Sequence, residues 1–367
     1  MEEKDYLISI AKTFLPNFQL KKFEVNKIGL INLTYFIHGD INGKQASFVL
    51  QKINTDIFKE YSNLFQNGIR VCEELQKSGY NYFIPFPLKS NTGKYYHEEN
   101  KNIWRLTSFL PNSICYEKSS NPQIIEEASK CLGKFYSALH VCDPALYIET
   151  IPDFHNGIKK MLHFKNALII GEQNKIKESA ELIDKILEQQ NIVVEFEQIK
   201  SEIPKRIAHF DAKLSNFLFD KNSLQAKALI DFDTIMPGTV LSDLGDMLRS
   251  GTNLLGEDYA GPEKINFDFT IFKHIAGAFI TQTKDVLTKK ELLHIPLGGM
   301  GLTYIQCIRF LADYLTGNKY YKIKYPTHNL DRAKNQLALF LSMKDNEKNM
   351  NDFIRNLLPE ESKKNIN

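Results

Sequence analysis

The chain has 367 residues, 43% hydrophobic and 25% charged, ordinary proportions for a soluble globular protein of one large domain or two modest ones. Its formal net charge of +2 supplies no basic excess for a nucleic-acid partner. No apolar run approaches the roughly 18 residues needed to span a bilayer, so no membrane partner is expected.

The opening residues, MEEKDYLISIAKTFL, are acidic and amphipathic, without the basic start and apolar core of a signal peptide. None of the five cysteines (Cys72, Cys115, Cys131, Cys142, Cys307) stands in a CxxC pair. They read as reduced, mostly buried thiols of a cytoplasmic protein, neither a disulfide framework nor a zinc site. A monomer or homodimer is expected.

In chain order, residues 4–14 have the rhythm of a short helix. Three β-like runs follow at 23–29, 33–39 and 46–53, with hairpin turn chemistry at Asp40–Gly43 between the last two. Residues 56–79 carry apolar side chains at helical spacing and end at Gly79, a suitable helix terminator. Strands are expected at 93–98 and 102–110. Beyond Pro111 helical patterns dominate, at 122–140, 155–170, 174–189, 266–284, 299–316 and 328–344, interrupted by a β-rich island at about 207–235. The polar stretches KDNEKNMND and EESKKNIN read as a fraying tail. The fold class expected is α+β: a small β-rich lobe, residues 1–109, and a larger mainly helical lobe, residues 110–367. Such clefts between lobes commonly hold ligands.

The β-rich island carries the chemistry. It reads HFDAKLSNFLFD, a short turn, then KALIDFDTIMPG. A hairpin places the loop before its first strand beside the loop after its second, so Asp211, Asn216 and Asp231 converge. Two carboxylates and an amide oxygen, with no His/Cys cluster, form a hard-oxygen set suited to Mg2+. Lys213 between them is a natural phosphate partner. Phosphoryl transfer requires a carboxylate to orient the hydroxyl nucleophile, a cation held by Asp and Asn, and positive charge on the transferring group. The spacing H-x-D-x-K-x-x-N matches the protein-kinase catalytic loop except that Phe210 replaces its Arg. His209 reads as a structural residue under this loop.

With IDFD following, these motifs resemble the aminoglycoside phosphotransferase and choline kinase superfamily, protein-kinase-like enzymes acting on small molecules. Residues 209–253 closely resemble the N-acetylhexosamine 1-kinase group, as do INLTYFI with FVLQKIN, ETIPDFHN and IRFLADYLTGNKYY. The resemblance spans about residues 30–340. It implies ATP-dependent phosphorylation of the anomeric hydroxyl of N-acetylglucosamine or N-acetylgalactosamine. It assigns Asp211 as base, Lys213 to the γ-phosphate, Asn216 and Asp231 to Mg2+ with Asp233 assisting, and Asp243 to brace the catalytic loop. It also implies a phosphate-covering turn within GLINLTYFI, including Asn32 and Thr34, although the run has one glycine where kinase loops have three. A phosphate-binding lysine belongs on the third strand. Lys52 is the chemically obvious choice, but alternation leaves Gln51 as the rival. Its carboxylate partner is Glu60, Glu73 or Glu74. Adenine is expected against Ser108 to Leu110.

For the sugar, Gln306, Arg309 and Asp313 form a polar stripe on a helix otherwise apolar; sugar hydroxyls are suitable partners. Tyr314 or Tyr320 can offer a ring face, and His155 can reach the pocket. The competing reading of Arg309 and Asp313 is an exposed i,i+4 ion pair. Rival functions are a kinase of another acceptor (an aminoglycoside, choline, homoserine or another sugar) and a nucleotide-binding pseudokinase. Arg309 disfavours cationic acceptors, and the intact Asp211/Asn216/Asp231 set disfavours the pseudokinase.

Overall fold

The computed structural model describes residues 2–26 and 31–358. Helix α1 (Glu2–Phe14) leads into β1 (Phe18–Asn26), β2 (Leu33–Ile41) and β3 (Lys44–Ile53). The β2–β3 hairpin turns at Asn42 and Gly43, both with positive φ, the conformation an Asn-Gly pair tolerates best. Helix α2 (Tyr61–Lys77) follows, then β4 (His97–Glu99) and β5 (Asn102–Ser108). These strands make one antiparallel sheet of order β1-β2-β3-β5-β4. Helix α2 starts five residues later than its apolar spacing suggests, because Asn54 bends the chain: its carbonyl accepts from Ile57 and Phe58 N–H, and its side chain accepts from Asp56 N–H.

The sheet has two apolar faces. Leu50, Trp104 and Leu106 pack with Leu7, Ile10 and Phe14 of α1. Ile53 and Ile103 pack with Leu64 and Phe65 of α2. The α+β arrangement expected from sequence is therefore present, a small antiparallel sheet preceding a larger helical part.

That part begins with β6 (Ser113–Ile114), α3 (Pro122–Leu139), α4 (Gly157–Ile170), α5 (Gln173–Glu178), α6 (Ala180–Glu188) and α7 (Asn191–Glu202). The single helix expected at 174–189 is two, broken at Ser179, and α7 was not anticipated. Next come β7 (Arg206–Ala208), β8 (Phe217–Asp220), β9 (Ala226–Leu229) and β10 (Met236–Gly238). The described residues end with α8 (Val240–Gly251), α9 (Phe269–Thr283), α10 (Lys289–Leu293), α11 (Ile295–Leu315), α12 (His328–Asp345) and α13 (Glu347–Leu357). Helix α11 is buried almost throughout and forms the hub on which α4, α7, α8 and α12 pack. Gly245 lets α8 approach it closely: a Cβ there would lie 2.5 Å from the Gly298 carbonyl oxygen. Of the two stretches read as fraying, KDNEKNMND is instead ordered at the end of α12 and in α13, and EESKKNIN lies outside the described residues. Met350 and Ile354 are buried, and Phe353 packs edge-on against Phe269 and Phe272. Two buried apolar residues one turn apart suffice to dock an otherwise polar helix.

All five cysteines are free, and three are buried. Among the described residues no helix is long and apolar enough to cross a membrane.

Candidate active site

Two antiparallel ladders assemble the site. β7 pairs with β10, and β8 pairs with β9, Phe217 opposite Leu229. The loop entering β8 and the segment leaving β9 therefore meet, joined by Ile230 N–H to the Asn216 carbonyl at 2.9 Å.

Asp243, on the first turn of α8, fixes the loop backbone. Its Oδ2 accepts from His209 N–H at 2.7 Å and from the Tyr136 hydroxyl at 2.7 Å. Its Oδ1 accepts from Phe210 N–H at 2.6 Å. These bonds hold Phe210 at φ +64, a conformation disfavoured for a bulky residue and sustained only where surroundings over-determine it. Burial pushes the Asp243 carboxyl up to about 7, against the pull of its three donors. His209 lies beneath: Nε2 donates to the Ile230 carbonyl (2.9 Å) while Nδ1 accepts from Asp211 N–H (3.3 Å). That pairing fixes one neutral tautomer, and burial lowers its pKa to about 4.

On this platform Asp211, Lys213, Asn216 and Asp231 come together. Asp211 Oδ2 accepts from Lys213 Nζ at 2.8 Å and from Asn216 Nδ2 at 2.9 Å. Its Oδ1 accepts no hydrogen bond from the described residues, leaving one oxygen of the carboxylate for a nucleophile's proton. Burial disfavours the Lys213 charge, but Asp211, Asp231 and Asp246 hold its pKa above the usual lysine range. Asp231 adopts φ 69, ψ 61, a left-handed conformation that Asp tolerates better than most residues. Burial, then Asp233 and Asp211, push its carboxyl up to about 7.

Asp233 stands apart from the cation set assigned to it. Oδ1 accepts from Arg105 Nη1 at 2.5 Å; Oδ2 accepts from Arg105 Nη2 at 3.2 Å and Asn32 Nδ2 at 2.6 Å. Asp246 is paired with Arg249. Arg249 also pairs with Glu257, so five carboxylates (Asp211, Asp231, Asp233, Asp246, Glu257) share three cations (Lys213, Arg105, Arg249). Of the five, Asp231 is the one whose carboxylate makes no hydrogen bond or ion pair among the described residues, and uncompensated charge falls there. A divalent cation fits this position, with Asp231 and the Asn216 side-chain oxygen as donors. Among the described residues no three His, Cys, Asp or Glu side chains can hold a metal alone, so further oxygens must come from a ligand, as phosphates do for Mg2+.

The sheet side of the cleft departs from expectation in one important position. Gln51 lies opposite Arg105 in the β3–β5 ladder and shares the α2-facing side with Ile53. Lys52 shares the opposite face with Leu50, toward α1, because alternate strand residues point oppositely. Lys52 is therefore corrected to Gln51 on the cleft face. None of the suggested glutamates partners it: Glu60 and Glu73 are exposed, and Glu74 binds Lys77. Thr34 Oγ1 accepts from Gln51 Nε2, and Asn32 Oδ1 accepts from Asn54 N–H. Both residues assigned to the nucleotide are thus engaged in bracing the sheet. Gly29 and Leu30 of the expected phosphate-covering turn lie outside the described residues. Ser108 pairs with Phe48 at the end of β5. Leu110 borders a cavity of about 310 Å3 with Tyr82, Phe83, Glu127, Gln225 and Lys227. Neither Asp211 nor Asp231 lines it, so that cavity is not the reaction centre.

Beyond Asp211, Phe210 leads to a second cluster. His155 stacks on Phe154 (centroids 4.7 Å apart) and lies 5.2 Å from Phe210. It is buried, and its Nδ1 has no partner among the described residues. Arg309 lies 5.1 Å above Phe154 and within 6 Å of the Tyr320 and Tyr321 rings, and it has no carboxylate partner among the described residues. Gln306 accepts from Arg309 and donates to the Tyr321 hydroxyl. Two expected sugar contacts are corrected. The Asp313 carboxylate is filled by the backbone N–H groups of Lys319, Tyr320 and Tyr321 and by Asn329. It shapes the loop that delivers Tyr320 and Tyr321. Tyr314 turns away to Glu178 and Lys175.

Sequence reasoning missed Arg105, Asp246, Tyr136 and Phe154. Signals existed for two of them. Asp243, Asp246 and Arg249 recur every three residues in an apolar helix, and Arg105 is the only charge in NIWRLTSFL.

Residues 22–266, two-thirds of the chain, match the family model described as the phosphotransferase enzyme family. Solved structures with the same fold include an aminoglycoside phosphotransferase from Alicyclobacillus acidocaldarius, at TM-score 0.63 and 12% identity over 95% of this chain and 96% of that one. A choline kinase from Cryptosporidium parvum Iowa II aligns at TM-score 0.57 and 11% identity over 96% and 99%. Spectinomycin phosphotransferase, solved with ADP and spectinomycin, aligns at 0.54 and 12% over 96% and 98%. With the kinase-like catalytic loop, the chain belongs to the phosphotransferase enzyme family, and it shares the fold of these aminoglycoside phosphotransferase and choline kinase structures.

Proposed function

We propose that the protein transfers the γ-phosphoryl group of ATP to the anomeric hydroxyl of an N-acetylhexosamine, N-acetylglucosamine or N-acetylgalactosamine. The products are the sugar 1-phosphate and ADP. Asp211 accepts the hydroxyl proton as the new P–O bond forms and the bond to the ADP oxygen breaks. Lys213 neutralises the transferring group. Asn216 and Asp231 hold Mg2+, which when bound supplies charge neutralisation on the phosphates.

The observation that carries the acceptor class is Arg309. It is unpaired among the described residues, ringed by Phe154, Tyr320 and Tyr321, and linked to Asp211 through Phe154 and Phe210. Lys160 adds positive charge nearby: burial and Arg309 lower its pKa to about 8. Choline, ethanolamine and aminoglycosides are cations and would be repelled here. A neutral sugar offers hydroxyls to the guanidinium and C–H faces to the rings.

The test is ATP consumption with Mg2+ across N-acetylglucosamine, N-acetylgalactosamine, glucose, galactose, choline, homoserine and kanamycin, with phosphorus NMR locating the phosphate and Asp211→Asn as control. An anomeric phosphate formed only from N-acetylhexosamines supports the proposal. Turnover of choline or kanamycin instead would overturn the acceptor assignment while leaving Asp211 as base.

A further inference from the structure

A kinase-like sheet is expected to offer a cation from its third strand to the nucleotide phosphates. Here the cleft face of β3 presents neutral Gln51, and Lys52 stands on the opposite face. The cation on that face comes from the neighbouring strand. Arg105 sits directly across from Gln51 in the β3–β5 register, and its Nε and Nη2 both donate to Gln51 Oε1, at 3.2 and 2.6 Å. Gln51 in turn donates to Thr34 of β2, so three adjacent strands orient the guanidinium.

The acidic anchor has moved as well. The buried face of α2 carries Leu64, Phe65, Asn67, Val71, Cys72 and Leu75, with no carboxylate. Phe65 lies 6.0 Å beneath the guanidinium. The counter-charge is Asp233, two residues beyond Asp231 on the segment that leaves β9. Arg105 is 11% exposed and Asp233 3%, so a desolvated ion pair ties the sheet to the cation-binding segment. A guanidinium has five N–H donors. Gln51 and Asp233 account for four, leaving one Nη1 proton uncommitted. This arginine is held rigidly beside Asp231 with bonding capacity in reserve.

We propose that Arg105 is the phosphate-binding cation of the small sheet, moved one strand over from the usual β3 position, with Gln51 orienting it and Asp233 replacing the helix carboxylate. The proposal rests on nucleotide-dependent phosphoryl transfer but not on the identity of the acceptor. It also means that entry of phosphates is registered directly at the segment bearing Asp231, through one side chain.

The test is calorimetric binding of ATP and of adenosine, without acceptor, to the unaltered chain, Arg105→Gln, Arg105→Lys and the double variant Gln51→Lys/Arg105→Gln. Loss of charge-assisted bonds to phosphate lowers ATP affinity about 10- to 100-fold in Arg105→Gln. Adenosine, which has no phosphates, binds unchanged, and that also reports an intact fold. Returning a cation to β3 in the double variant recovers much of the ATP affinity. Equal ATP affinity in Arg105→Gln and the unaltered chain would overturn the proposal, leaving Arg105 as a brace. A parallel loss of adenosine binding in Arg105→Gln and Arg105→Lys would do the same. Failure of the unaltered chain to bind ATP would remove nucleotide from both this proposal and the previous one. An acceptor other than an N-acetylhexosamine would leave this one standing.

Discussion

Asp231→Asn isolates the charge on which the cation site depends. The substitution keeps the shape and the left-handed backbone at φ 69, which Asn adopts readily. Burial, with help from Asp233 and Asp211, raises the Asp231 carboxyl from 3.8 to about 7. The folded chain therefore holds this proton more tightly than the unfolded chain does. Stability from the group is fully present below its unfolded pKa and is lost as pH rises through the folded value. Three units at 1.36 kcal/mol each set a ceiling of about 4 kcal/mol for the cost of ionised Asp231 above neutrality. Solvent relaxation around the buried group reduces this to about 1–2 kcal/mol. Asn has no ionisation cost. The variant is expected to be more stable than the parent by about 1–2 kcal/mol at about pH 8, with the gain shrinking below about pH 5, and to lose phosphotransferase activity. Urea unfolding of both proteins at the two pH values, in chelator, measures the difference. A variant no more stable than its parent at the higher pH would refute the charge count that makes Asp231 the cation ligand.

Three further outcomes follow from named contacts. Asn67→Leu removes two bonds to the Ile148 and Ile235 carbonyls and one from Ile148 N–H; a cost of about 2–4 kcal/mol in urea unfolding is expected, and a loss under about 1 kcal/mol would contradict that anchoring. His209 is buried neutral with its pKa lowered to about 4, so the unfolded chain takes the proton first and stability falls as pH drops from about 6.5 toward 4. Between about pH 7 and 5 the parent should lose about 2 kcal/mol more than His209→Gln, which parallel melts at both pH values will show. Arg309→Met should raise KM for the acceptor about 10- to 100-fold and leave KM for ATP unchanged, read from initial rates with each substrate varied; a matched change in both constants would remove Arg309 from the acceptor pocket.

The juxtaposition of the proposed phosphoryl-transfer residues was legible because it is local. Asp211, Lys213, Asn216 and Asp231 lie within twenty-one residues on one hairpin, and hairpin geometry brings its two flanking loops together whatever surrounds them. Spacing alone could not assign the orientation of β3, since Lys52 and Gln51 differ only in face and a one-residue shift exchanges them. The register to β5 decides it, by placing Gln51 against Arg105 and Lys52 against buried Trp104. Asp313 misled for a related reason. A polar residue on a buried helix needs partners, but those partners were the backbone of residues 319–321, not a ligand. The tail helix α13 was missed because its apolar packing rests on few residues, chiefly Met350, Phe353 and Ile354, too few to mark an apolar stripe.

The same distinction explains how chemistry and selectivity are divided. The segment between β9 and β10 receives Asn67 of α2 at Ile235 and Arg105 and Asn32 of the sheet at Asp233. It carries Asp231 between them and the base loop. Anything that moves the sheet or α2 is felt at the cation ligand, so the reacting groups are held by several independent elements and tolerate little change. The acceptor cluster is attached differently. Phe154 and His155 precede α4, Arg309 lies on α11, and Tyr320 and Tyr321 sit on a loop fixed by Asp313. Among the described residues, only Phe210 connects them to Asp211 by ring contact. Substitution at Tyr320, 59% exposed, is therefore expected to alter the proposed acceptor site without disturbing Asp243's hold on the loop at 209–211. On the proposed reading, that arrangement would let acceptor selectivity change through three distant stretches of sequence while the proposed phosphoryl-transfer residues stay fixed.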